Sequence, residues 1–171
     1  MLTHLLFMRH AKSSWKDSTL ADHARPLNKR GKREADIIAQ TLFAKKLAPD
    51  TIWASDAMRT QETAARLIRI IPGAQTIIKV PEFYHASAAH VLDQCTKTQP
   101  PEGKLMLLGH NPGWSELAQI FTNMPIGMAT AECLVFSRVS EPTAPWTKPE
   151  NWRLVDRLEA KSLLADRDDI R

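Results

Sequence analysis

Leu5-Leu6-Phe7-Met8 is an unbroken apolar run of strand length, and it constrains the fold more than any other stretch of the chain. A strand lapped by water on one face alternates apolar and polar residues, whereas a continuous run belongs to a strand covered on both faces. Such strands lie centrally in open α/β sheets, which bind ligands beyond the carboxyl ends of their strands. The residues that leave this run are Arg9 and His10. The rest of the chain therefore has to supply neighbours for a central strand and company for an Arg-His pair at its end.

The neighbours follow in order. Residues 11–27 read as a polar loop, long enough to imply a task of its own. Asn28 is a candidate N-cap, and Ala35, Ile38, Ala39, Leu42 and Phe43 recur at helical spacing up to Lys45-Lys46, where cations suit a helix C-terminus. Thr51-Ile52-Trp53-Ala54 predicts a second strand. Ser55-Asp56 supplies cap-type residues for a helix with Thr60, Ala64, Leu67, Ile68 and Ile71 on one face, ended by Pro72-Gly73. A third strand over residues 76–80 leads through Pro81-Glu82-Phe83-Tyr84-His85 to a cap at Ser87 and a helix with Ala88, Val91, Leu92 and Cys95. Residues 104–109 predict a strand built on a second continuous apolar run, Leu105–Leu108, and lead into His110-Asn111-Pro112-Gly113 before a helix with Trp114, Leu117, Ala118 and Phe121.

Residues 133–136 and 152–155 are strand candidates with no helix between them, which predicts an antiparallel edge hairpin joined by the Pro-rich segment 141–149. The charged stretch 160–171 is expected to fray. The pattern as a whole predicts an α/β fold of three layers, α/β/α, with a mainly parallel open sheet, right-handed crossovers and an antiparallel edge strand.

At 171 residues, 43% of them hydrophobic, the chain fits one domain over residues 1–171. No apolar run approaches the roughly 18 residues of a membrane span, and the first residues enter a strand pattern rather than a signal peptide. Cys95 and Cys133 lie far apart and outside any CxxC pair, so neither a disulfide framework nor a zinc site is expected. A cytoplasmic protein is expected, with no membrane partner. Its net charge of +4 is uneven, since residues 1–33 hold eight Lys/Arg against Asp17 and Asp22 alone. Such a surplus attracts anions of every kind. Nucleic acid is disfavoured as the partner, because the basic residues are not interleaved with stacking aromatics and match no usual binding module.

Three strand ends carry unusual residues: Arg9-His10, Ser55-Asp56-Ala57-Met58-Arg59, and Gly109-His110. Parallel strands put all three at one rim of the sheet. Two arginines offering bidentate, charge-assisted bonds and two imidazoles able to act as nucleophile or donor suggest a phosphoryl pocket.

The same residues resemble a known family. Leu6-Phe7-Met8-Arg9-His10-Ala11 is similar to the opening Arg-His-Gly motif of the histidine phosphatase (phosphoglycerate mutase-like) superfamily, and Ser55-Asp56-Ala57-Met58-Arg59-Thr60-Gln61-Glu62-Thr63-Ala64 to its Ser-x-x-x-Arg-x-x-x-Thr-Ala motif. Leu108-Gly109-His110-Asn111 resembles its late His motif. Arg25-Pro26-Leu27-Asn28-x-x-Gly31 is similar to a segment common in its small branch, the SixA-like phosphohistidine phosphatases.

The resemblance implies a phosphoglycerate mutase-like fold and a phosphatase in which His10 takes the phosphoryl group and water then hydrolyses the phosphohistidine. Arg9, Arg59 and His110 would hold the phosphoryl oxygens, with no metal and no cofactor. The cationic neighbours also favour a neutral, nucleophilic imidazole at His10. Arg25 and Ser14 are candidate substrate contacts, and Glu82 stands where larger relatives carry the acid that protonates the leaving group. Ala11 replaces the family's Gly and is compatible with the site if its φ is negative. His85 is expected at the rim, His23 is a candidate substrate contact, and Trp15 and Tyr84 are expected to shape the entrance. His4 and His90 are given no catalytic part, and Trp53 and Trp114 are expected in the core.

The expected substrate is phosphohistidine in a protein or a related phosphoramidate, because the chain has no large insertion to close over a small molecule. The alternatives are a phosphatase of a small phosphorylated metabolite and a non-catalytic phosphate- or partner-binding module.

Overall fold

The computed structural model describes residues 1–168. Six strands form one sheet in the order β3-β2-β4-β1-β5-β6: β1 (Leu2–Arg9), β2 (Thr51–Ala54), β3 (Thr76–Lys79), β4 (Gly103–Gly109), β5 (Cys133–Arg138) and β6 (Trp152–Leu158). The pairs β1·β4, β2·β4 and β2·β3 are parallel. The strand that runs against the others is β5, antiparallel to both β1 and β6, so it stands one place in from the edge and the edge strand β6 runs with the main direction.

Burial on two faces accounts for the unbroken apolar runs. Leu5 and Phe7 of β1, with Leu105 and Leu107 of β4, meet Trp114, Leu117 and Phe121 of α4 (Gly113–Thr122) and Val91 and Cys95 of α3 (Ala88–Thr96). Leu6 and Met8, with Met106 and Leu108, face the opposite way. They meet Ile38 and Leu42 of α1 (Lys29–Ala44) and Ala64 and Leu67 of α2 (Met58–Ile70). Trp53 and Trp114 are buried as expected.

Asn28 and Ser87 cap α1 and α3 through their side chains, as their positions predict. Ser55 and Asp56 do not cap α2: the N-cap is Ala57, without a side-chain bond, because the Ser55 side chain is engaged elsewhere. The expectation of fraying fails for Ala160–Asp168, which form a fifth helix, α5; Leu163 and Leu164 pack against the core cluster under α1, an apolar contact that the surrounding charges hide in the sequence. Residues 169–171, the rest of that expectation, lie outside the described residues.

Register is what gathers the site. Arg9 of β1 lies opposite Gly109 of β4, and the His10 N–H donates to Gly109 O at 3.0 Å. Ala54 of β2 lies opposite Leu108, and the Ser55 N–H donates to Leu108 O at 3.1 Å. Three adjacent strands therefore deliver His10, His110 and Ser55 side by side, and Arg59 follows in the first turn of α2. The loop 11–27 is strapped across this end of the sheet by a bridge between Ser13 and Leu27 and by the Asn28 N–H donating to Lys12 O. Gly31 permits that strap, since a Cβ there would overlap the Lys12 carbonyl.

Candidate active site

His10 is buried beneath a cleft of about 220 Å³ whose walls include Arg9, Lys12, Ser13, Arg25, Arg59 and His110. Its Nδ1 lies 2.7 Å from the Ala11 carbonyl oxygen, which can only accept, so the ring proton belongs on Nδ1. The lone pair is then on Nε2, and the Arg59 Nε–H donates to it at 3.3 Å. Burial is the main reason that the His10 pKa is lowered to about 3; the Ala11 hydrogen bond opposes the shift, and the charges of Arg59, Arg9 and Arg25 add to it. The imidazole is therefore neutral at neutral pH, with Nε2 unprotonated and facing the cleft's cations. Ala11 is buried, is absent from the positive-φ residues, and donates its N–H to Thr63 Oγ1 at 3.1 Å, so the missing glycine is accommodated by ordinary backbone.

His110 is buried as well, its Nε2 2.8 Å from Ser55 Oγ and its ring centroid 5.1 Å from that of His10. Desolvation, then the nearby His10, Arg59 and His85, lower its pKa to about 2, against the opposing charge of Asp22. Ser55 Oγ also accepts from the Ala57 N–H at 3.3 Å; when its hydroxyl proton is given to His110 Nε2, the His110 ring proton sits on Nδ1. That nitrogen, like Arg9 Nε, is buried without a partner among the described residues. Orphaned buried donors are rare in folded proteins, and these two flank a cleft that can supply an acceptor oxygen.

Arg9 donates through Nη1 to Met128 O at 3.0 Å, and Asn111 Nδ2 donates to the same carbonyl at 2.9 Å, so one loop braces both strand ends. Buried Glu34 accepts from the Lys12 N–H, Thr130 Oγ1 and Arg30 Nε, tying the basic strap to that loop.

Asp22, which the sequence reading passed over, is the organising acid. Its carboxylate accepts from Arg59 Nη2 at 3.0 Å, Arg25 Nε at 3.1 Å and the Tyr84 hydroxyl at 2.6 Å. Partial burial pushes its pKa up, but the bonds from Tyr84 and Arg59, the Arg59 charge and the Arg25 bond outweigh that and hold it well below the usual carboxylate range. The available signal was its position as an isolated acid three residues before Arg25 in an otherwise basic segment. Arg25 itself is buried, donates to Ser13 Oγ at 3.0 Å and is stacked 3.5 Å beneath the exposed Trp15 ring.

Three expected residues lie elsewhere. Ser14 offers its carbonyl to Arg25 and its hydroxyl to the Lys16 N–H, whereas the serine on the cleft wall is Ser13, because the Ser13–Leu27 bridge turns that residue inward. Glu82 is exposed and lines a separate, mostly apolar cavity with Trp53, Phe83 and Cys95. The reason is local: Pro81–Phe83 is a 3-10 turn, and burying Phe83 against Trp114 leaves Glu82 outside. Of the residues that follow, His85 lines the cleft and Tyr84 bonds Asp22. His23 bonds Asp56 at 2.9 Å rather than lining the cleft. Among the described residues, no group of three or more His, Cys, Asp and Glu side chains is arranged to hold a metal ion, and no helix is long and apolar enough to cross a membrane.

Known proteins share this arrangement of sequence and fold. The model of the histidine phosphatase superfamily (branch 1) matches residues 5–84. An uncharacterised chloroplastic protein of Arabidopsis thaliana is 32% identical over 162 residues, which span 88% of this chain and 74% of that protein. Among solved structures, one described as a candidate phosphohistidine phosphatase SixA from Agrobacterium tumefaciens has 28% identity and a TM-score of 0.77, covering 93% of this chain and 99% of that one. A second, likewise described and from Nakamurella multipartitia, has a TM-score of 0.73 over 92% of this chain and 95% of its own; at 23% identity it speaks for the fold.

Proposed function

Because the chain belongs to the histidine phosphatase superfamily, in its SixA-like branch, and is a phosphatase, we propose that it works through a covalent phosphohistidine at His10 and acts on phosphohistidine in proteins or on a related phosphoramidate. The observation that carries the reading is the state of the His10 ring: proton on Nδ1, lone pair on Nε2, neutral, and surrounded by guanidinium groups. A nucleophile must be uncharged to attack, and a phosphoryl group needs cations around it. Burial lets one pocket meet both needs.

In this reading Nε2 attacks phosphorus. Arg9, Arg59 and Arg25 take the oxygens as charge redistributes, with His110 donating through Nδ1, and the Arg59 Nε–H passes from the His10 lone pair to a phosphoryl oxygen. Buried Arg9 Nε and His110 Nδ1 gain the partners that they lack among the described residues. The same cradle accepts any phosphoryl group, so the leaving group has to be read at the rim. There the cleft is open, bordered by the Trp15 face and by His85, which stacks on Tyr84. An exposed rim of flat rings suits an imidazole presented on a protein surface better than a polyhydroxylated metabolite, which needs hydrogen-bonding walls.

Brief incubation with a labelled generic phosphoester followed by alkaline denaturation is expected to trap an acid-labile phosphoenzyme. Absence of any phosphoenzyme under turnover conditions would overturn the covalent mechanism. For the substrate, phosphohistidine-containing proteins should exceed sugar, nucleotide and acyl phosphates in kcat/KM. A sugar or nucleotide phosphate at the head of that ranking identifies a metabolite phosphatase instead.

A further inference from the structure

Glu82 is turned away from the cleft, and what reaches the cleft from the same connection is His85. The backbone there is left-handed, φ 53°, a conformation that a bulky residue keeps only when its surroundings over-determine it; such residues gather at functional sites. Here the surroundings are specific. The ring stacks on Tyr84 with centroids 4.0 Å apart, its Nε2 lies 3.3 Å from Asp22 Oδ2, and its centroid is 6.2 Å from that of His110. The residue after it, Ala86, is buried, with its carbonyl so close to Gly113 that a Cβ on that glycine would overlap it. The connection is thus pinned to the loop that carries His110. Unlike His10 and His110, the His85 side chain is 61% exposed, on the wall of the cleft.

We propose that His85 is the catalytic proton donor to the leaving group, paired with Asp22, and the base that activates water in the second step. The proposal rests on the covalent reading above. In the first step the His10 Nε2 lone pair forms the N–P bond while the bond from phosphorus to the leaving atom breaks. That electron pair departs with the leaving group, which takes the proton from His85. In the second step water forms an O–P bond and gives a proton to His85, the P–N bond breaks, and its electron pair returns to Nε2. Inorganic phosphate leaves and His85 carries its proton again, so atoms and charge balance over the cycle.

Other groups at the mouth are unsuited. Asp22, bonded by two arginines and a tyrosine, has no proton to give at neutral pH. The Tyr84 hydroxyl donates to Asp22, and desolvation followed by that carboxylate holds its proton more tightly than usual. The Thr130 hydroxyl is committed to Glu34, and the His110 Nδ1 proton serves the phosphoryl oxygens in the covalent reading. Imidazole can both give and take a proton, and in His85 only Nε2 meets a carboxylate, leaving Nδ1 without a partner among the described residues.

The test compares wild type, His85→Asn and Glu82→Gln on phosphate monoesters whose leaving groups run from p-nitrophenol to simple alcohols. Asparagine tolerates the left-handed backbone, and the site is at the surface, so the fold is retained. His85→Asn is expected to lose about 10²- to 10³-fold in kcat/KM on alkyl phosphates and less than about tenfold on p-nitrophenyl phosphate. The dependence of rate on leaving-group pKa should steepen, and phosphoenzyme should still form from the nitrophenyl ester. Parallel losses along the series, or no loss, overturn the assignment of His85 while leaving the phosphoenzyme intact. Steepening in Glu82→Gln instead also overturns it, in favour of that carboxylate. A wild type that forms no phosphoenzyme overturns the covalent reading and this proposal together.

Discussion

The two halves of the cleft are built on opposite plans. Its floor comes from three neighbouring strand ends and the first turn of a helix: His10, His110 and Arg59 are all buried, and register between β1, β4 and β2 fixes their spacing. Its rim comes from the strap 11–27 and the connection after β3, where Trp15 is 72% exposed and His85 is held by stacking and one carboxylate. Floor residues have lost their hydration, so each charge and lone pair acts at full strength on whatever enters. Rim residues remain wet and adjustable. The difference separates the chemistry of phosphoryl transfer, which is rigid and independent of substrate, from the choice of leaving group, which can change with a loop. Asp22 joins the two, bonding Arg59 on the floor side and Tyr84 on the rim side through one carboxylate.

If the floor is where chemistry resides, His10→Ala should have the largest effect, a loss of about 10⁴-fold or more in kcat. Thermal unfolding should be little changed, since the alanine removes a ring that bonds only its neighbour's carbonyl and Arg59. Near-normal turnover would break the division between floor and rim outright. Next in size is Arg59→Lys. The guanidinium reaches His10 through Nε and Asp22 through Nη1 and Nη2 at once, and an ammonium keeps the charge but not that fork. A drop of about 10²- to 10³-fold in kcat/KM is expected for the lysine variant. A loss below about fivefold would mean that charge alone, not geometry, does the work.

The floor was also far more legible in the sequence than the rim, for a physical reason. An apolar run such as Leu5–Met8 announces a central strand, and a central strand fixes where Arg9 and His10 must emerge, so two sequence-adjacent residues inherit their position from the sheet. Ser55, Arg59 and His110 follow equally from β2 and β4. Rim residues depend on local turns whose direction is decided by distant packing. Glu82 points away because Phe83 needs the core beside Trp114, a contact with no periodic signature. Ser13 rather than Ser14 faces the cleft because of a single bridge to Leu27. Asp22 in a basic segment reads as a counter-charge until two arginines are seen to converge on it. The same blindness to distant contacts hid α5, whose Leu163-Leu164 pair is anchored under α1.

Burying two neutral imidazoles should also leave a mark on stability. The pKa of His10 is lowered to about 3 and that of His110 to about 2, both chiefly by burial, whereas an unfolded histidine titrates near 6.5. Between those values the unfolded chain binds more protons, so stability falls as the pH drops below about 6.5. By pH 5 the loss is about 2 kcal/mol for each histidine. Urea unfolding at pH 7.5 and pH 5 should show a drop smaller by about that amount in His110→Gln than in wild type. An equal drop in both would mean that the floor takes up water and protons, and that its contrast with the rim is not one of hydration.

The smallest expected effect lies on the rim and is the sharpest probe of what the rim does. Trp15 covers Arg25 at 3.5 Å while exposing its other face, and an exposed cation–π contact is worth about 0.5 to 1 kcal/mol. Trp15→Ala should therefore raise KM by about two- to fivefold and leave kcat unchanged, because Arg25 keeps its bonds to Ser13 and Asp22 when the ring is gone. If the ring also offers its free face to the leaving group, the rise will be larger for aryl phosphates and phosphohistidine than for alkyl phosphates. A uniform rise across substrates would confine Trp15 to steadying Arg25, and a fall in kcat would move it from rim to floor. Since Arg25 is buried but loop-borne, this one side chain decides whether the boundary between chemistry and selection runs above or below it.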